Sequence, residues 1–172
     1  LLVCQIEVGY QKLFQLVSLA CLEGFYYGPR GDKELLEKYS EGLIATSACL
    51  KGEVAHQCLI GDMERAKAAA KWYQDVYKGN FYLEIQNNGL PQQMMVNQRF
   101  QEISKDLGIG LIATADVHYL KKEDAFNQEV LMSIHTGSNL EDISPSSVRH
   151  DEFYFKSQAT QKEKVSQLPE AP

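Results

Sequence analysis

The sequence predicts an α/β layer fold with mostly parallel strands, on three observations. Short apolar runs alternate with longer amphipathic stretches. The runs carry apolar side chains on both faces, as strands do in a sheet covered by helices. Their order, β-α-α-β-α-α-β-α-β-α, is that of strands joined by helical crossovers. The chain has 172 residues, 44% of them hydrophobic. That suits one core, since single domains usually run ~100–200 residues.

Each element has a local reason. Leu1-Leu2-Val3-Cys4-Gln5-Ile6 reads as a strand whose beginning has been cut away. Leu13, Leu16, Val17 and Ala20 recur at spacings of three and four, which predicts a helix over 8–20. Gly24 to Gly31, with Pro29, is a loop, and Asp32 caps a short helix reaching Tyr39. The compact run 42–47 is a buried strand. A helix follows from about Gly52, breaks at Gly61-Asp62 and resumes to Tyr77, favoured by Ala66, Ala68, Ala69 and Ala70. Residues 81–85 read as a strand. Pro91 then opens a helix at a position that suits proline, and the helix runs to about Leu107, where Gly108 stops it. Ile109 to Ala115 is another buried strand, 122–135 a helix, and Phe153-Tyr154-Phe155 a last short strand. The polar tail 158–172 reads as a linker or an abbreviated helix.

Composition narrows the function classes. The chain carries 17 Lys+Arg against 23 Asp+Glu, a formal charge of −6. That balance lacks the basic patch or stripe of a nucleic-acid-binding surface. Cys4, Cys21, Cys49 and Cys58 form no CxxC pair, which points to a reduced, cytoplasmic setting. No apolar stretch reaches the ~18 residues of a membrane span, so no membrane partner is expected.

The strongest chemical signal is Asp116-Val117-His118, directly after the strand Leu111-Ile112-Ala113-Thr114-Ala115. Side chains two apart in extended chain point the same way. Asp116 and His118 are therefore expected together at the C-terminal end of a parallel strand, where α/β enzymes build their sites. A carboxylate and an imidazole there make a half-set for a divalent metal, or simply a strand-end turn. Cys49, just past the strand 42–47, is either a small buried hydrophobe or a third ligand. If neighbouring strands bring it to Asp116 and His118, the trio suits zinc. His56 and His135 fall inside helices and His150 in a polar loop, with no site implied. Glu84 faces opposite Leu83 and Ile85 and is expected to make a structural hydrogen bond. Phe25-Tyr26-Tyr27 beside Arg30 could stack on bases, but packing over a barrel rim is the preferred reading.

These residues resemble one family closely. Leu22 to Arg30 is similar to the segment LEGFYYKPR of the bacterial DNA polymerase III alpha subunits, in their polymerase-and-histidinol-phosphatase (PHP) domain. Asp32 to Leu50 resembles DKELLEKYSEGLIALSACL, Phe81 to Gln86 resembles FYLEIQ, Ala113 to Tyr119 resembles ATNDVHY, and Asp151 to Ser157 resembles DEFYLKS. Asn88 stands where many relatives have histidine, Gly31 replaces an apolar residue, and Ala115 replaces asparagine.

The resemblance implies part of a distorted seven-stranded βα barrel of TIM-like type. Residues 1–157 would be the C-terminal portion of the PHP domain, and 158–172 the start of the connection to the polymerase palm region. It also implies that Cys49, Asp116 and His118 are metal ligands. The metal would be divalent: zinc, with manganese or magnesium as alternatives. The remaining ligands, including a histidine just before Leu1, would lie upstream. The parent would be a DNA-directed DNA polymerase acting in replication. Its partners would be DNA, a proofreading exonuclease and a sliding clamp. The domain would support a 3′–5′ exonuclease, serve as a non-catalytic scaffold, or stand alone as a histidinol-phosphatase-type phosphoesterase. The chain alone is expected to be catalytically inactive and, through apolar strand edges, prone to self-association.

Overall fold

A strand, Leu2–Cys4 (β1), leads directly into a helix, Glu7–Leu22 (α1), in a computed structural model that describes residues 1–138 and 151–168. Lys33–Lys38 (α2) follows, with the Asp32 carboxylate accepting from Leu35 N at 2.9 Å, the expected cap. Leu43–Thr46 (β2), Glu53–Leu59 (α3) and Met63–Val76 (α4) come next. Gly61 adopts φ 83 between these two helices, and Asp62 caps the second by accepting from Arg65 N at 3.0 Å. Phe81–Gln86 (β3), Pro91–Leu107 (α5) and Gly110–Thr114 (β4) complete the central layers. Gly108 ends α5 in the left-handed conformation, φ 67. A 3-10 turn at Lys122–Asp124 precedes Ala125–Thr136 (α6), and the last helix is Gln158–Ser166 (α7).

The four strands form one sheet in the order β1-β2-β3-β4. β2, β3 and β4 are parallel, as expected for a mostly parallel α/β sheet. β1 differs, pairing antiparallel to β2 through Leu2↔Ala45, Val3↔Ile44 and Cys4↔Leu43. The cause is local. Gln5 N, just past β1, donates to Gly42 O, just before β2, at 2.9 Å. α1 then starts against that same turn, where a Cβ on Gly9 would meet Gly42 O at 1.9 Å. The end of one strand is thus tied to the start of the next. The described residues form this open four-stranded sheet and do not by themselves close a seven-stranded barrel.

Alternation along the strands assigns the two faces. Leu43, Ala45, Phe81 and Leu83 face a core built with Val54 and Cys58 of α3, Ala66 and Ala70 of α4, and Val96, Phe100 and Ile103 of α5. The alanines let α4 pack closely. The opposite face carries Thr46, Glu84, Gln86 and Thr114. α7 docks at its edge: Gln161 Nε2 donates to Thr114 O at 2.9 Å, and Asn87 Nδ2 donates to Lys164 O at 2.7 Å.

Three expectations fail. The strand within 109–115 is not buried: β4 stands at the edge of the described sheet, with Leu111 and Ile112 each 39% exposed. Phe25, Tyr26 and Tyr27 do not pack over a rim. Tyr27 is 90% exposed, and Arg30 lies over the Tyr26 ring at 4.9 Å. The strand at Phe153–Phe155 contracts to one parallel bridge, Tyr119↔Tyr154, since the chain beyond Leu120 turns at once into the 3-10 segment. Among the described residues, no helix is long and apolar enough to cross a membrane.

Candidate functional site

The candidate residues occupy the C-terminal ends of the parallel strands. β2 ends at Thr46, and Cys49 follows in a turn with Ala48 at φ 57 and Gly52 N donating to Cys49 O at 2.9 Å. β4 ends at Thr114, and Asp116 follows at φ 48. That left-handed conformation disfavours most side chains by about 1–2 kcal/mol, but Asp is among the few that visit it, because its short polar side chain bonds locally.

His118 is held from two sides. Its N–H donates to Phe153 O at 2.8 Å, and its ring meets the Phe153 ring edge-on at 5.1 Å between centroids. Its Nδ1 lies 2.7 Å from the Asp116 carbonyl oxygen. A carbonyl only accepts, so Nδ1 carries the proton in this bond. In the neutral imidazole, Nε2 then keeps its lone pair, the form that ligates metals.

Between these strand ends lies a carboxylate layer on β3. Glu84 is 4% exposed. Thr46 Oγ1 donates to Glu84 Oε1, and Thr114 Oγ1 donates to Glu84 Oε2 at 2.7 Å. Gln86 Nε2 donates to Thr114 Oγ1 at 3.1 Å and to Glu84 Oε2 at 3.4 Å. Glu84 N donates to Ser47 Oγ at 2.8 Å. The structural hydrogen bond expected of Glu84 is therefore present, and it spans three strands.

Electrostatics link the two ends through this carboxylate. Burial pushes the Asp116 carboxyl above the usual carboxylate range; Glu84 adds to the rise and His118 opposes it. Burial lowers the Leu1 amino group below its usual value, while Glu84 and Cys49 pull it back up. That amino group donates to Thr46 O at 3.2 Å.

The three candidate ligands do not form a three-donor cluster. Among the described residues, no group of three or more His, Cys, Asp or Glu is gathered to hold an ion. β2 and β4 flank β3, so Cys49 and the Asp116–His118 pair follow strands that are not neighbours. The donor chemistry (a thiol, a carboxylate and a free imidazole nitrogen) fits a divalent cation, but three donors do not close a four-ligand shell around one.

Sequence reasoning missed Thr46, Thr114 and Gln86. A signal existed, since Thr46 and Thr114 each end a strand otherwise made of apolar residues and glycine. His56 and His135 lie in helices as expected, and His150 lies outside the described residues.

Comparison with known proteins adds an independent line. The PHP domain family pattern matches residues 1–88. The chain is 43% identical over 171 residues to the DNA polymerase III subunit alpha of Borreliella burgdorferi, covering 99% of the chain and 15% of the relative. It is 44% identical over 177 residues to the protein of the same name from Campylobacter jejuni, covering 96% of the chain and 15% of the relative. The Thermus aquaticus subunit is 42% identical over 163 residues, covering 95% of the chain and 13% of the relative. The chain thus spans about 15% of the length of the first two of these relatives.

Proposed function

The chain belongs to the PHP domain family, and we propose that it is the C-terminal portion of that domain in a bacterial replicative DNA polymerase alpha subunit. Residues 1–157 supply the domain, and 158–172 begin the connection toward the polymerase palm. Identity above 40% along nearly the whole chain, to relatives that all bear that name, supports this reading.

Within that reading, Cys49, Asp116 and His118 are this chain's contribution to a divalent-metal site completed by residues outside it. The carrying observation is the free Nε2 of His118, set by the Nδ1 bond to the Asp116 carbonyl at the end of a parallel strand. Zinc is the metal that the thiol and imidazole favour; manganese and magnesium favour all-oxygen sets. A bound ion would supply Lewis acidity for phosphoester chemistry. The chain's own residues orient His118 and hold Asp116 beside it.

The parent would add deoxynucleotides to a primer, with DNA gripped elsewhere, as the formal charge of −6 on this portion suggests. A proofreading exonuclease and a sliding clamp would be its partners, in the cytoplasm. The test is zinc binding by equilibrium dialysis, for the wild-type chain and for His118→Ala. Measurable binding that the substitution abolishes supports the site; binding untouched by it overturns the assignment of His118. The isolated chain should release neither phosphate nor nucleotides. Metal-dependent release abolished by His118→Ala would show instead that the chain is catalytic by itself.

A further inference from the structure

One carboxylate fastens the segment 151–156 to the turn that follows β4. Glu152 meets an ammonium group from each of three places in the chain. Lys122 Nζ, on the 3-10 turn, donates to Glu152 Oε1 at 3.3 Å. Lys164 Nζ, on α7, stands 3.2 Å from Oε2, and Lys156 Nζ, four residues along, stands 3.5 Å from it. Neither contact to Oε2 is aligned as a hydrogen bond, so both hold by charge. The Lys156 side chain is 1% exposed, lies over the Tyr154 ring at 4.3 Å and also donates to the Glu152 carbonyl. A buried ammonium is costly unless an opposite charge stands beside it. Among the described residues, Glu152 is the acid that does so.

The next residue carries this hold to His118. Phe153 O accepts from His118 N at 2.8 Å and from Tyr119 N at 3.4 Å, and the Phe153 ring meets the imidazole edge-on at 5.1 Å. Phe155 N then donates to Tyr119 O at 3.0 Å. His118 lies past the end of β4, beyond the ladder that β4 makes with β3. Its support therefore comes from this segment and from the Asp116 carbonyl that faces its Nδ1.

We propose that Glu152 is a positioning residue for His118, acting through Phe153. The three lysines and the carboxylate clasp the segment, and the segment keeps the imidazole turned with Nδ1 on the Asp116 carbonyl and Nε2 free. The inference rests on the reading of His118 as the imidazole of the site. It adds that α7 is one arm of the clasp, through Lys164, so a displacement of that helix reaches His118 by way of Glu152.

The ring nitrogens of His118 report this without any metal. They are observed by NMR in the 172-residue chain with isotope-labelled histidine, at a pH well above the ~6.5 of a free imidazole. The signals missing from His118→Ala identify the residue. The wild type should show one fixed tautomer, protonated at Nδ1, with two widely separated nitrogen shifts; averaged shifts there overturn the proposal at the outset. Glu152→Gln keeps the shape and removes the charge. It should draw the two shifts together, as an imidazole released from Asp116 averages over both tautomers, while circular dichroism stays that of the wild type. Lys67→Met breaks the Lys67–Asp106 pair between α4 and α5 and should leave the shifts alone. A folded Glu152→Gln chain with wild-type shifts overturns the proposal, and so does an equal change in Lys67→Met, which would mark general loosening. Where Glu152→Gln does not fold, Lys164→Met decides, since it removes the α7 arm and leaves Lys156 paired. Shifts that move together by a smaller amount support the clasp, and unchanged shifts overturn it. Failure of the wild-type chain to bind zinc would instead remove the ligand reading, and the nitrogen shifts distinguish that outcome from failure of the clasp.

Discussion

Thr114 Oγ1 donates to Glu84 Oε2 at 2.7 Å, joining the last residue of β4 to the middle of β3. The carboxylate is buried, so this bond replaces water that the site no longer admits. Thr114→Val keeps the side-chain shape and removes the donor. Leaving a buried acceptor short of a partner costs about 1–3 kcal/mol. Urea unfolding should show a lower midpoint with an unchanged slope, and an unchanged midpoint would deny the bond its role.

Gly9→Ala should destabilise the chain despite alanine's advantage of about 1 kcal/mol over glycine inside a helix. The new Cβ would meet Gly42 O at 1.9 Å, and backbone cannot rotate away. Overpacking of this kind costs about 1–3 kcal/mol or more. A melting temperature equal to or above the wild type would mean that α1 can shift off the sheet without loss.

The cysteines should react in a fixed order. Cys21 is exposed, whereas Cys58 is buried in the core and its thiol is pushed up from 9.0 to about 11, chiefly by burial. At neutral pH an alkylating reagent should label Cys21 promptly and Cys58 only on unfolding. Below 9.0 the thiol is protonated in folded and unfolded chains alike, so it adds no pH dependence there. Above that value the unfolded chain ionises first, and stability should fall as pH rises toward about 11. Peptide mapping after timed labelling checks the first point, and unfolding midpoints at pH 8 to 10.5, compared with Cys58→Ala, check the second.

Self-association is expected through β4. This strand is an edge of the described sheet, and Leu111 and Ile112 are each 39% exposed on it. Unpaired apolar edges template further pairing. Sedimentation velocity should show oligomers that grow with concentration, and Leu111→Lys should shift the chain toward monomer. A monodisperse wild-type monomer would mean that the edge is already protected.

Much of the layer pattern was legible because each element announces itself within a few residues. Asp32 and Asp62 cap the helices that follow them, Pro91 opens α5 and Gly108 closes it. The direction of β1 was not legible, since it depends on the contact of Gly9 with Gly42, residues far apart in sequence. The same limit applies at the site. Asp116 and His118 were readable as a pair two residues apart. Whether Cys49 joins them depends on strand order, and β3 stands between. The threonine ties of Glu84 cross three strands, and no local spacing encodes them.

Thr114 takes part in two connections at once. Its hydroxyl holds the Glu84 carboxylate, and its carbonyl accepts from Gln161 of α7. α7 and the buried acid should therefore open as one cooperative unit. Amide protons of β4 and α7 should exchange with solvent at a shared free energy, since releasing the helix frees the residue that anchors the acid. A pull on α7 would thus reach the interior of the sheet through Thr114 at the end of β4 and through Asn87 just past β3.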